Sequence, residues 1–335
     1  MNVRTEAGTH RPAKHGITSK SWWPWAKRLL SYAFFALVAY LLVTQARTVE
    51  WDEVLTTMSR RAPATLLMAA ALGWASFALY SCFDLLGRYY TGHKLSSRQV
   101  VTVNFISYAF NLNMGSLIGG VAFRYRLYSR LGLETEVITR VVVLSMMTNW
   151  LGYLLLAGLA FLWWPVSPPP DWKIDTLALR VIGGVMFAVA VAYILLCAFA
   201  RRRTWTIRGH ELTLPPLKLA LLQLLISSIN WSLMAGAMYI LLDQKIPYPV
   251  VLEVLLVAAI AGVITHVPAG LGVLEAVFVA LLSHQISTNE LLAALLTYRA
   301  IYYLTPLAIA TVVYLVVEAR AKKRPRADTL QAVRK

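Results

Sequence analysis

An ionised side chain deep inside an apolar run costs about 2.5 to 3.5 kcal/mol on membrane-insertion scales, so it is expected to face a cavity and pair. Three such residues stand out in this 335-residue chain: Arg124, Glu275 and Arg299. Glu275 follows the break Pro268-Ala269-Gly270-Leu271-Gly272, Arg299 lies in the first half of the apolar run Leu291 to Val317, and Arg124 follows Gly119 and Gly120. The expected chemistry is an ion pair between Glu275 and Arg299 or Arg124, with a guanidinium placed to take a phosphate bidentately. The competing expectation is a buried pair that only supports structure. Arg126 and Arg130 are read either as part of the same site or as anchors at the membrane surface. His266, beside the second break, is either a proton-coupling group or a hydrogen-bonded core histidine. Asn111 and Asn113 sit at the first break, where backbone groups are freed. Two polar stripes, Gln223/Ser227/Asn230 and Ser145/Asn149/Gly152, recur at helical spacing. They either line a path or join helices.

The elements that hold these residues follow from composition. Of the chain, 58% is hydrophobic and only 14% charged, with a mean hydropathy of +0.59. A water-soluble domain does not hide that much apolar surface, so the expected class is all-α and polytopic. The net charge of +16 points to an anionic membrane surface, and no basic-aromatic module suggests nucleic acid. Cys82 and Cys197 both fall in apolar runs and are expected to be reduced. With about 20 apolar residues needed to cross the bilayer, six full spans are expected: Leu29 to Thr44, Ala62 to Phe83, Val137 to Trp163, Leu177 to Phe199, Leu217 to Leu242 and Leu291 to Val317. The stretches Val100 to Leu131 and Val250 to Leu282 are each broken centrally by Gly, Pro or Asn. Both are expected to be re-entrant helical hairpins, with arms too short to cross.

Charge tests that count. With both hairpins returning to the face they left, residues 1–28, 87–99, 124–140, 200–218 and 318–335 share one face and carry 25 basic against 6 acidic residues. Residues 45–61, 164–176, 243–249 and 284–290 share the other, with 5 basic and 7 acidic. The positive-inside rule then puts both termini in the cytoplasm. Residues 1–28 are expected to be a basic tail with an interfacial Trp22/Trp23/Trp25 anchor, 29–319 one membrane domain, and 320–335 a second basic tail. Residues 49–61 have the pattern of a short amphipathic helix on the outer surface.

The two broken stretches also align with each other, Gly119-Gly120-Val121-Ala122-Phe123-Arg124 against Gly270-Leu271-Gly272-Val273-Leu274-Glu275. One enters from each face, which is the plan of an inverted-topology repeat whose helix breaks line a substrate site. Catalytic signatures such as a nucleophile elbow, a phosphate-binding Gly-Lys loop, HExxH or a Cys-His metal spacing are not found. A non-catalytic protein without cofactor or metal is therefore expected.

The run Ile260 to Phe278, with Pro268, Gly270, Gly272 and Glu275, resembles the Pro-x-Gly-x-Gly-x-x-Glu signature of the lysylphosphatidylglycerol synthetase transmembrane family. The Tyr298-Arg299 pair with Pro306 resembles that family's last-helix motif. Nearly the whole chain is similar to a stand-alone inner-membrane member of it. In the first half, where the family often carries a proline and an acid about the glycine pair, this chain has Gly115 and Gly120. The resemblance implies roles for Asn111, Gly120, Arg124, Pro268, Gly270, Gly272, Glu275 and Arg299. It also implies a bacterial inner-membrane flippase or scramblase of an anionic phospholipid or polyprenyl-phosphate lipid. The alternatives are an accessory subunit that presents such a lipid to a separate synthase or glycosyltransferase, and a gradient-driven transporter of small solutes or ions.

Overall fold

A computed structural model of the chain describes residues 58–165, 175–207, 210–265, 267 and 270–332, with isolated positions 36, 40, 52 and 56; for 205–212 and 321–332 it describes backbone only. By contact the chain divides into Met1–Glu50 and Trp51–Lys335, and everything below concerns the second unit. The expected first span, the tryptophan anchor and most of the surface helix 49–61 lie outside the described residues, as do His266 and Pro268.

The described residues are almost entirely helical: α1 Pro63–Ser81, α2 Phe83–Thr91, α3 Ser97–Met114, α4 Phe123–Arg130, α5 Thr135–Trp163, α6 Thr176–Phe199, α7 Leu217–Leu241, α8 Tyr248–Thr265, α9 Val273–Leu282, α10 Thr288–Arg299 and α11 Thr305–Ala332. Two π-helical turns, Ser116–Ala122 and Ala300–Leu304, interrupt the regular winding. One short antiparallel ribbon, β1 Thr204–Ile207 with β2 His210–Thr213, pairs Thr204 with Thr213. The sequence reading had only a basic loop there.

Local chemistry explains the boundaries. Pro63 occupies the first turn of α1, where its missing N–H costs nothing. Ser96 and Gln99 close a reciprocal capping box at the start of α3. Asp175 and Ser287 cap α6 and α10.

Six described helices are long and apolar enough to cross a membrane: 63–91, 135–163, 176–199, 217–241, 248–265 and 288–320. Five of them coincide with expected spans. The sixth, α8, is the first arm of the second expected hairpin, and at 18 residues it is longer than the reading above allowed. Its first turn already forms on the Pro247 carbonyl, and Pro249 is tolerated there. Its partner α9 has 10 residues, a rise of about 15 Å at 1.5 Å per residue, half of a bilayer core.

Both broken stretches fold back on themselves: α8 packs on α9, and α3 packs on the first π-helical turn and on α4. The first fold is so tight that a Cβ on Gly119 would lie 2.0 Å from the Asn111 backbone nitrogen. Around these hairpins, α1 packs along α7 and α3, while α5 packs along α2, α6 and α7. The α5–α7 crossing rests on Gly152, where a Cβ would lie 2.3 Å from Ser227 Oγ, as expected of helices joined through small residues. Helix α6 leaves Leu177, Val181, Val185, Leu196 and Phe199 exposed. An apolar belt of that kind is suited to lipid.

Contacts between loops sort them into two groups. Tyr90 donates to the Thr213 carbonyl, and Arg126 and Arg130 both reach Glu318. Elsewhere, Arg61 donates to the Leu241 carbonyl and lies near Asp243, and Lys245 bonds Glu290. These are the two sets of segments that the charge count separates.

Candidate functional site

Two buried arginine–carboxylate pairs dominate the interior, one beside each π-helical turn. In the second half, Gly270 and Gly272 adopt left-handed φ of 55° and 75°, conformations that only glycine takes up without strain. They turn the chain into α9 and put Glu275 in its first turn, where the helix dipole favours a carboxylate. Arg299, the last residue of α10, meets it there. Nη2 lies 2.8 Å from Glu275 Oε2 and 2.9 Å from the Gly270 carbonyl oxygen, Nε faces Glu275 Oε1, and the guanidinium lies 5.5 Å from the Tyr303 ring centre. The pair is not sealed, since the Glu275 side chain keeps 19% of its surface exposed and Arg299 keeps 10%.

In the first half, Arg124 does not reach Glu275. It pairs with Asp84, Nε at 3.0 Å from one carboxylate oxygen and Nη2 at 3.2 Å from the other. Nη2 also donates to Asn104 and Ser145, and Nη1 to the Gly120 carbonyl oxygen. Tyr128 completes the network with a 2.8 Å bond to Asp84. Arg124 is 2% exposed and Asp84 is fully buried. Thus Asp84, and not an acid of the other hairpin, neutralises Arg124. Nothing in the 40-residue separation announces the pair, beyond the rule that an intramembrane acid seeks a cation.

Between the two pairs runs a chain of hydroxyls. Tyr302, in the second π-helical turn, lies 2.7 Å from Ser76 Oγ and 2.9 Å from the Tyr108 hydroxyl, and Ser76 donates to Asn230 Oδ1 at 2.8 Å. It joins α1, α3 and α7 to the turn that follows Arg299. Asn113 donates to the Tyr303 carbonyl at 3.3 Å, so of the two asparagines at the first break it is Asn113 that touches the second half. Asn111 packs its side chain on Gly120. The polar stripes join helices: Gln223 donates to Thr148, and Ser227 and Trp231 donate to the Asn149 carbonyl. Arg126 and Arg130 converge on Glu318 of α11.

Chemically, the fork of donors on a guanidinium such as that of Arg299 matches two oxygens of a carboxylate or of a phosphate alike. No group of three or more His, Cys, Asp or Glu placed to hold a metal occurs among the described residues.

Comparison with known proteins bears on the chain as a whole. Residues 28–310 match the family described as lysylphosphatidylglycerol synthase TM region. Inner membrane protein YbhN of Escherichia coli (strain K12) is 49% identical over 302 residues, covering 90% of this chain and 95% of its own length. The Synechocystis protein slr0712 is 30% identical over 264 residues, 78% of this chain and 82% of its own length. The phosphatidylglycerol lysyltransferase of Staphylococcus haemolyticus is 22% identical over 302 residues, 85% of this chain and 34% of its own length.

Proposed function

Because the chain belongs to the lysylphosphatidylglycerol synthase TM-region family and is a multi-pass protein of the bacterial inner membrane, we propose that it moves a phosphate-bearing lipid between leaflets. The substrate class is an anionic phospholipid or a polyprenyl-phosphate lipid. The observation that carries this reading is the Glu275–Arg299 pair, still partly open at a glycine-rich helix break.

In this reading the headgroup phosphate enters beside the break and competes with Glu275 for Arg299. The exchange keeps the Arg299 guanidinium paired in low dielectric, and the displaced Glu275 carboxylate turns to the side of the pair that is already open, where 19% of its surface is exposed. Glu275 keeps the empty site neutral and holds the guanidinium fork in place. The acyl chains stay in the bilayer, along the exposed Val263, Ile264 and Val267, while the polar group crosses at the hairpins. The Asp84–Arg124 network has the complementary task of fixing the first hairpin against α2 and α5. Both termini lie in the cytoplasm, and α8–α9 leaves and regains the outer face, a placement supported by the Lys245–Glu290 contact across its two ends.

The test is headgroup-labelled phosphatidylglycerol and phosphatidylethanolamine exchange in vesicles holding the purified protein. Faster exchange than in protein-free vesicles supports the reading, and Arg299→Lys, which keeps charge but not the planar fork, should slow it. Exchange at the protein-free rate removes the passive form of the proposal and turns attention to a gradient-driven step.

A further inference from the structure

At the end of the bundle away from the ribbon lies a cavity of about 300 Å³ walled by the chain ahead of α1, the α7–α8 turn and the start of α10. This is the low end of ligand-pocket volumes, about 300 to 1,000 Å³. Five ionisable residues line it: Arg60, Arg61, Asp243, Lys245 and Glu290. All five belong to the loop group that the charge count assigns to the outer face. The lining is cationic by one charge, which favours an anionic group there.

The detail that asks for a ligand is Arg61. Its side chain is only 12% exposed; Nη1 donates to the Leu241 carbonyl at 2.6 Å and lies 3.7 Å from Asp243. Its Nε–H is buried and meets no acceptor among the described residues. A buried guanidinium donor left unmade is costly, and such groups in folded proteins are almost always satisfied by something. The rim is also built at some conformational expense: Asp243 and Gln244 take left-handed φ of 52° and 59°, values that non-glycine residues rarely adopt. Across the mouth, Lys245 and Glu290 pair at 2.9 Å while half exposed. Glu290's hydrogen bond and charge hold the Lys245 ammonium protonated above its usual range. Such a surface pair opens at little cost. On the same helical face as the cavity-lining Thr65, three residues on, Met68 of α1 is 54% exposed. An apolar side chain so near a polar pocket suits a ligand with a charged head and an apolar tail.

We infer that this cavity is an outer-face docking station for the phosphodiester of a phospholipid headgroup, held by Arg61 and Lys245 with the acyl chains against Met68. The inference rests on the lipid-transport reading and adds a second position along the path.

The test is calorimetric titration of short-chain dihexanoyl phosphatidylglycerol, and separately of inorganic phosphate, into the full-length protein in detergent. Wild type, Arg61→Gln, Lys245→Gln and the cavity-filling Thr65→Phe are compared, each also in an Arg299→Gln background so that binding at the central pair is subtracted. The expected result is lipid binding that survives Arg299→Gln and weakens about tenfold with Arg61→Gln, less with Lys245→Gln, and that exceeds phosphate binding. If Arg61→Gln does not fold, the half-exposed Lys245 and the Thr65 filler carry the test alone. Lipid binding unchanged in folded Lys245→Gln and Thr65→Phe overturns the inference, as does phosphate binding as tight as lipid. Absence of this binding from the wild-type protein beside leaflet exchange faster than in protein-free vesicles overturns the station alone, whereas binding as expected beside exchange at the protein-free rate counts against the transport reading.

Discussion

Asp84 holds Arg124 through two hydrogen bonds of 3.0 and 3.2 Å, so the arginine that repeat alignment sets opposite Glu275 is neutralised by the helix before its own hairpin. Glu275, at the corresponding place in the second hairpin, is neutralised by Arg299 from the helix after it. The two halves thus each bury one pair beside a π-helical turn, with sign and direction reversed. Only the second pair keeps appreciable exposure.

That difference separates support from function. Asp84→Ala leaves a guanidinium buried without its counter-charge, a change that costs about 3 to 5 kcal/mol. Thermal unfolding in detergent should show a large fall in melting temperature. The double variant with Arg124→Ala should lose less than the sum of the two single changes.

Tyr302→Phe removes one hydroxyl that joins Ser76 to Tyr108 and should cost about 1 to 3 kcal/mol, the range for a buried polar partner left unsatisfied. Ser76→Ala should cost a similar amount without adding to it, because both act on one chain of bonds. Chemical denaturation of the single and double variants checks this.

Gly152→Ala places a methyl group 2.3 Å from Ser227 Oγ and 2.6 Å from its backbone. Overpacking of this kind costs about 1 to 3 kcal/mol. Gly262→Ala, which meets nothing within 4 Å, is the matched control and should leave the melting temperature unchanged or slightly raised.

His93 lies just beyond the 63–91 span. Its two ring nitrogens are buried and meet no partner among the described residues, and burial, followed by the Arg88 charge, lowers its pKa from 6.5. A base whose folded pKa lies below its unfolded value binds protons more readily when unfolded, so its contribution is complete above the unfolded value and is lost as pH falls through it. The melting temperature should therefore drop on acidification below about 6.5, and His93→Gln should flatten that slope. An unchanged slope in the variant assigns the acid sensitivity elsewhere.

Five of the six expected spans were legible because an apolar run of bilayer length has few other uses. Glu275 and Arg299 were legible as partners because both interrupt apolar runs. The partner of Arg124 was not. Asp84 lies near a helix end, where an acid needs no special reason, and only packing of α4 against α2 and α5 brings it to the arginine. The hydroxyl chain was hidden for a related reason, since tyrosines in a membrane helix look the same whether they face lipid, headgroups or one another. The first arm of the second hairpin was expected to be too short to cross, but it begins at Tyr248, two residues ahead of the expected start, because Pro249 is harmless in a first turn.

The central claim is that Glu275 and Arg299 handle the lipid headgroup. Its most direct test is headgroup-labelled phosphatidylglycerol exchange by wild type and Glu275→Gln in matched vesicles, with melting temperature measured on the same preparations. The account predicts at least about a tenfold loss of exchange with a melting temperature within a few degrees of wild type. Undiminished exchange in Glu275→Gln, or a loss of exchange matched by collapse of the fold, would contradict it and leave the pair a structural one.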